Sequence, residues 1–226
     1  HTMSDNLAPQ PLHITVVSDV VCPWCFIGKR HLEAALELFA EAHPGQPSPA
    51  IEWSAFQLNP DMPSAGMDRS AYVQNKFGDR VEEIMARMTE AGERAGIAFQ
   101  FDDIKKQPNT LGLHALIAAA ETEPQQLAVV EALFDAYFLK GLDLTDKAVI
   151  ISVVAPLGLH ASVIEACLTP DAAAQNAVAT ADAHWRSLEV SGVPLFVFER
   201  KWAVSGAQPA QALFEAMVHA LEERAK

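Results

Sequence analysis

The chain has 226 residues, half of them hydrophobic and a fifth charged, with a formal net charge of -13. That composition suits a globular protein of one large or two small domains, and it speaks against nucleic-acid binding, which needs clustered Lys and Arg to neutralise phosphate. Three cysteines are too few for a disulfide scaffold, so a close-spaced pair points to catalysis or metal binding.

His1-Thr2-Met3 reads as a cloning remnant ahead of a native start at Met3. Residues 4–11 carry no basic residue, and no apolar run reaches membrane-spanning length. The expectation is a cytoplasmic protein that does not associate with membranes.

The β-branched run "HITVVSDV", His13 to Val20, predicts a strand buried on both faces. A helix follows, with Leu32, Ala35, Leu36 and Phe39 on one stripe, and "HPGQPSP" ends it. "IEWSAFQL", Ile51 to Leu58, predicts a second strand and completes a βαβ unit.

From Asp68 to Val190 the patterns are helical with almost no strand signal. Val81, Ile84, Met85 and Met88 form one apolar stripe closed by Gly96. Asn109 is placed to cap a helix carrying Leu113, Leu116 and Ile117. Leu127, Val130, Leu133, Phe134, Tyr137 and Phe138 form another stripe, closed by Gly141. Asp146 is placed to cap the next helix. Cys167 shares a face with Val163 and Ile164, which reads as core packing.

β character returns in "GVPLFVF", Gly192 to Phe198, and "WAVS", Trp202 to Ser205, with "ERK" as a turn between them. A last helix carries Leu213, Met217, Ala220 and Leu221 inward, with Pro209 in its first turn. Two strands at either end are marginal alone, so they join into one four-stranded sheet. The expected organisation is an α/β fold with a discontinuous domain, 12–60 and 191–226, and an all-helical insertion, 61–190.

The chemistry lies in Cys22-Pro23-Trp24-Cys25 at the first strand-to-helix junction. Pro23 suits the first helical position and puts Cys22 at the N-cap. There the Cys22 thiolate is expected to accept N–H bonds from Trp24 or Cys25, and its pKa to fall below about 8.5. Cys25, three residues on, lies on the same face and can close a disulfide. Cys22 reads as the exposed nucleophile and Cys25 as the buried resolving thiol. Asp19 has two readings, a loop or capping role and proton transfer at Cys25. A zinc site needs four ligands; no second C-x-x-C follows, and His31 lies off the face of Cys25, so no metal is expected.

"SDVVCPWCFIGKRHLE", "FQLNPDMP", "PNT", "LFDAYFLKGLDLTD", "SGVPLFVF" and "VSGAQP" together resemble the FrnE-like branch of the DsbA family of thiol-disulfide oxidoreductases. The resemblance implies a thioredoxin fold with a helical insertion and a dithiol-disulfide oxidoreductase or isomerase. It implies a cis Val193-Pro194 bond facing the cysteines, and a substrate site of Pro23, Trp24, Val193 and Pro194 where the Val193 backbone pairs with a bound peptide. Implied partners are protein or peptide thiols and disulfides and a low-molecular-weight thiol reductant. No tightly bound cofactor is implied, with glutathione or another small thiol as the candidate co-substrate. Related 2-hydroxychromene-2-carboxylate isomerases and kappa-class glutathione transferases supply the alternative, a glutathione-dependent isomerase or transferase of a small aromatic or polyketide-like substrate. They typically carry serine where this chain has Cys22. In that alternative Ser205 and Gln208 of "SGAQP" contact the thiol cofactor; otherwise they only cap the last helix. A third reading is a holdase with an apolar groove near Trp24, Phe26 and Val193.

Overall fold

The structure is a computed structural model and describes residues 8–226; the cloning remnant lies outside the described residues. β1 (His13–Ser18) runs to Ser18, and α1 (Pro23–Ala42) returns the chain to β2 (Ala50–Ala55). β1 and β2 are parallel, with Ile14 opposite Ile51 and Val16 opposite Trp53. The C-terminal hairpin of β5 (Leu195–Phe198) and β6 (Trp202–Ser205) adds antiparallel to the other side of β1. The strand order is β2-β1-β5-β6, the single four-stranded sheet that the two flanks were expected to form.

β1 is a central strand, and Ile14 to Ser18 are all buried. Ile14, Val16, Phe196 and Phe198 join Leu32, Ala35 and Phe39 of α1 in one core. Leu213, Met217 and Ala220 of the last helix, α9 (Ala210–Arg224), belong to it as well. The strands are shorter than the apolar runs suggested. Gly192 to Pro194 forms a loop, since proline has no N–H to give a ladder. Pro209 is the N-cap of α9 and not part of its first turn.

Between β2 and β5 the chain is almost entirely helical: α2 (Arg69–Phe77), α3 (Val81–Arg94), α4 (Leu111–Ala118), α5 (Glu123–Phe134), α6 (Lys147–Val154), α7 (Ala161–Cys167) and α8 (Ala173–Ser187). A two-residue ladder, β3 (Met67–Asp68) against β4 (Lys106–Gln107), is the one addition to the helical expectation. It is too short to carry a period-2 pattern. The side chain of Asp146 accepts from Ala148 N at 2.9 Å and caps α6 as expected. At α4 the cap position falls to Thr110, and Asn109 Oδ1 accepts from Leu111 N at 2.9 Å. After α5 the helix widens into a π-turn over Asp135–Leu139.

An aromatic cluster ties this helical segment to the sheet. The Phe26 ring of α1 stacks on Phe134 at 4.9 Å and meets Phe99 edge-on at 6.0 Å. Helical side chains also reach the outer backbone of β2 and the residues after it. Gln126 Oε1 accepts from Trp53 N at 3.0 Å, Asp182 Oδ1 accepts from Gln57 N at 2.8 Å, and Arg186 donates to the Gln57 carbonyl.

Candidate active site

The loop Asp19–Val21 carries the chain from the end of β1 into α1, and Cys22 stands at the N-cap with extended φ and ψ of -96° and 112°. Pro23 occupies the first helical position, as its fixed φ favours. The backbone N–H groups of Cys25 and Phe26 turn onto the Cys22 carbonyl at 3.0 and 3.4 Å. They are therefore not given to the Cys22 sulfur, which accepts no capping bond. Instead the Cys22 thiol points across the loop and donates to the Val193 carbonyl at 3.7 Å. Cys22 is also not exposed, as the helix-tip position had suggested: it is 4% accessible and Cys25 1%. Both are free thiols. The solvent-facing residue of the motif is Trp24, at 38%.

Burial pushes the Cys25 thiol well above its ordinary value of 9.0, and the sulfur of Cys22 beside it pushes the same way. Hydrogen bonds from the Ser18 side chain and the Asp19 backbone oppose this without reversing it. Asp19 is fully buried, and its carboxylate ties two elements together. Oδ2 accepts from Leu58 N at 2.8 Å, beyond the end of β2, and Oδ1 pairs with His114 Nε2 of α4 at 2.9 Å. His114 was not singled out from the sequence, because a histidine on an apolar helix face looks like any core histidine. Only the fold brings it to Asp19, 95 residues away in sequence.

Val193-Pro194 is cis, and Pro194 is buried. Its carbonyl accepts from Gly206 N at 2.8 Å, which anchors the loop to the end of β6. Gly28, about one and a half turns into α1, is the residue that lets the helix approach. A Cβ there would stand 3.0 Å from Pro194 Cγ and 3.1 Å from Phe196 Cζ. The sequence shows Gly28 only as an ordinary mid-helix glycine.

Cys22, Pro23, Trp24 and Val193 share one cleft of about 270 Å³, whose far walls come from α2 and α3. Ile84, Met85 and Met88 line it. Three residues of the α3 stripe thus wall a cleft; Met88 is buried, and Val81, Ile84 and Met85 remain partly exposed. Phe26, placed in the groove by the holdase reading, is fully buried in the aromatic cluster. Ser205 and Gln208 are exposed and stand outside this cleft. Gln208 Nε2 donates to the Ser205 carbonyl at 3.2 Å, and neither side chain caps α9. Cys167 is buried on α7, and its thiol is raised by burial.

A family model for the DSBA-like thioredoxin domain matches residues 13–218. In sequence, the chain is 25% identical over 160 residues to YwbO of Bacillus subtilis (strain 168), covering 70% of this chain and 72% of that one. In structure it is similar to the "probable DsbA oxidoreductase" of Streptomyces coelicolor, with a TM-score of 0.83, 26% identity and coverage of 94% and 91%. The fold is shared at lower identity with 2-hydroxychromene-2-carboxylate isomerase, with a TM-score of 0.68, 16% identity and coverage of 94% and 98%. It is shared too with the cytosolic disulfide reductase DsbM of Pseudomonas aeruginosa with GSH, with a TM-score of 0.61, 18% identity and coverage of 92% and 100%.

Proposed function

We propose that this chain, which belongs to the DSBA-like thioredoxin domain family, is a dithiol-disulfide oxidoreductase or isomerase working through Cys22 and Cys25. The observation that carries the reading is the asymmetry of the pair. Cys25 is enclosed and holds its proton, while Cys22 lines the cleft and its sulfur faces the Val193 carbonyl.

In this reading the Cys22 thiolate attacks one sulfur of a substrate disulfide. A Cys22–substrate disulfide forms, and the other substrate sulfur leaves as a thiolate. Cys25 gives up its proton, attacks the Cys22 sulfur, and releases the second substrate thiol. Two electrons pass from the pair to the substrate, and the Cys22–Cys25 disulfide remains. A low-molecular-weight thiol such as glutathione returns it to the dithiol by the reverse exchange. Val193, beside the sulfur, offers backbone groups to an extended peptide substrate. No tightly bound cofactor is required, and a reducing, cytoplasmic setting suits the cycle.

The test is a redox titration in glutathione buffers, with thiols trapped by alkylation and adducts read by mass spectrometry. The expected result is one two-electron transition that converts Cys22 and Cys25 together. Persistent reduction of both, or only a stable glutathione adduct, would refute it. Cys25→Ser is expected to accumulate mixed disulfides at Cys22, and Cys22→Ser to abolish exchange.

A further inference from the structure

The cleft beside Cys22 has a charge pattern that dithiol exchange does not use. Its walls include Arg69 and Lys76 and no acidic residue, in a chain with 29 acidic and 16 basic residues. Arg69 opens α2 and is only 7% accessible. Its Nη1 donates to Gln107 Oε1 at 3.1 Å and to the Tyr137 hydroxyl. The guanidinium lies 6.0 Å from the centre of the Phe101 ring and 5.7 Å from that of Tyr137. Among the described residues no carboxylate pairs with it, and its Nε and Nη2 make no hydrogen bond.

A guanidinium this largely withdrawn from water and without a counter-charge gains from a carboxylate partner, and its unbonded nitrogens are not fully enclosed, so a ligand can reach them. The neutral partners on Nη1 fix the plane and leave the Nε–Nη2 side free. That side presents two parallel N–H groups, the geometry that receives a carboxylate in bidentate fashion. Lys76 stands two turns further along α2, at an exposed position, over the rings of Phe77 and Tyr72. The rest of the lining is largely apolar, with Val73, Ile84, Met85 and Met88 beside Cys22, Pro23 and Trp24.

We propose that this cleft selects disulfides carrying a carboxylate beside an apolar body, with the carboxylate held by Arg69 while the disulfide meets Cys22. The assignment rests on the dithiol reading above. The substrate disulfide is the oxidant: one R–S–S–R and the reduced protein give two R–SH and the Cys22–Cys25 disulfide.

The experiment compares specificity constants of the reduced protein for anionic and neutral disulfides in two arms. One arm pairs 5,5′-dithiobis(2-nitrobenzoate) with neutral 4,4′-dithiodipyridine. The other pairs the disulfide dimer of acetyl-Phe-Cys-Glu-amide with its Gln counterpart. The reading is the anionic-to-neutral ratio, which removes general effects on the thiols. Arg69→Gln is expected to lower that ratio about ten-fold or more in at least one arm, as for loss of hydrogen bonds to a charged group. The arm affected tells a small aromatic acid from an acidic peptide side chain. Arg69→Lys is expected to keep part of the preference. A ratio within two-fold of the wild type in both arms overturns the proposal.

Should Arg69→Gln not fold, the wild-type protein decides. Alkylation of Cys22 by iodoacetamide is expected to slow saturably with 4-nitrobenzoate and not with 4-nitrobenzamide; equal effects overturn the proposal. If the wild-type protein consumes no disulfide in either arm, the dithiol reading itself has failed and the selectivity falls with it.

Discussion

Cys25 sits where its proton matters to stability as well as to exchange. Its folded value is raised above its ordinary value by burial and by Cys22. A folded state that holds this proton more tightly is favoured below the ordinary value of 9.0 and loses that advantage as the pH rises above it. The expected outcome is that the reduced wild type loses more stability than reduced Cys25→Ala between pH 7 and pH 10. The slope approaches at most about 1.4 kcal/mol per pH unit. Urea midpoints at the two pH values test this, and parallel curves would contradict it. The Asp19–His114 pair gives a second expectation. His114→Ala leaves a buried carboxylate with only the Leu58 N–H, and is expected to cost about 3 kcal/mol. His114→Gln, which keeps a donor, should recover part of that loss in the same urea titration. At this scale the sequence was informative about Cys22, Pro23 and Cys25, whose positions follow from spacing and the helix start. It was silent on His114 and Arg69, whose positions at the site depend on contacts between distant segments. It also misplaced the exposure of Cys22, whose surroundings, the Val193 loop among them, are a product of tertiary packing.

The elements show the same division. The strands, the order of the helices and the shared sheet were legible because period-2 and period-3.6 apolar patterns report burial directly. The α3 stripe shows the limit of that signal: an apolar face is the same in sequence whether it meets a core or walls a cleft. The α1–Pro194 contact shows another limit, since a mid-helix glycine is normally a small penalty and gives no hint of what it lets approach. Gly28→Ala is expected to push α1 and the Val193-Pro194 loop apart. The overpacking should lower stability by about 1–3 kcal/mol and slow disulfide exchange at Cys22. Thermal denaturation and exchange kinetics read the two effects, and a variant as stable and as fast as the wild type would mean the contact is easily relieved.

For the whole molecule, the Phe26, Phe99, Phe134 and Phe138 cluster joins the helical segment to the helix that carries the cysteines. The sequence separates the sheet-forming ends from the middle, yet they share this core. The expected outcome is one unfolding transition, coincident by far-ultraviolet circular dichroism and tryptophan fluorescence. Phe134→Ala should lower the stability of the whole by about 3–5 kcal/mol. Two separated transitions would show the segments to be independent.

The side chains of Gln126, Asp182 and Arg186 that meet β2 and the residues after it have a further consequence. Unsatisfied backbone at the border of a sheet is a template on which another extended chain can grow. A protein that receives extended peptides, as proposed above, is repeatedly exposed to that hazard. Here β2 has part of its outward backbone occupied by helical residues. The opposite border, β6, is four residues long and is followed by Gly206, whose φ of 86° turns the chain away. On the proposed reading, peptide pairing at the Val193 loop would therefore stay local to the cysteines, with little ribbon elsewhere on which another extended chain could grow.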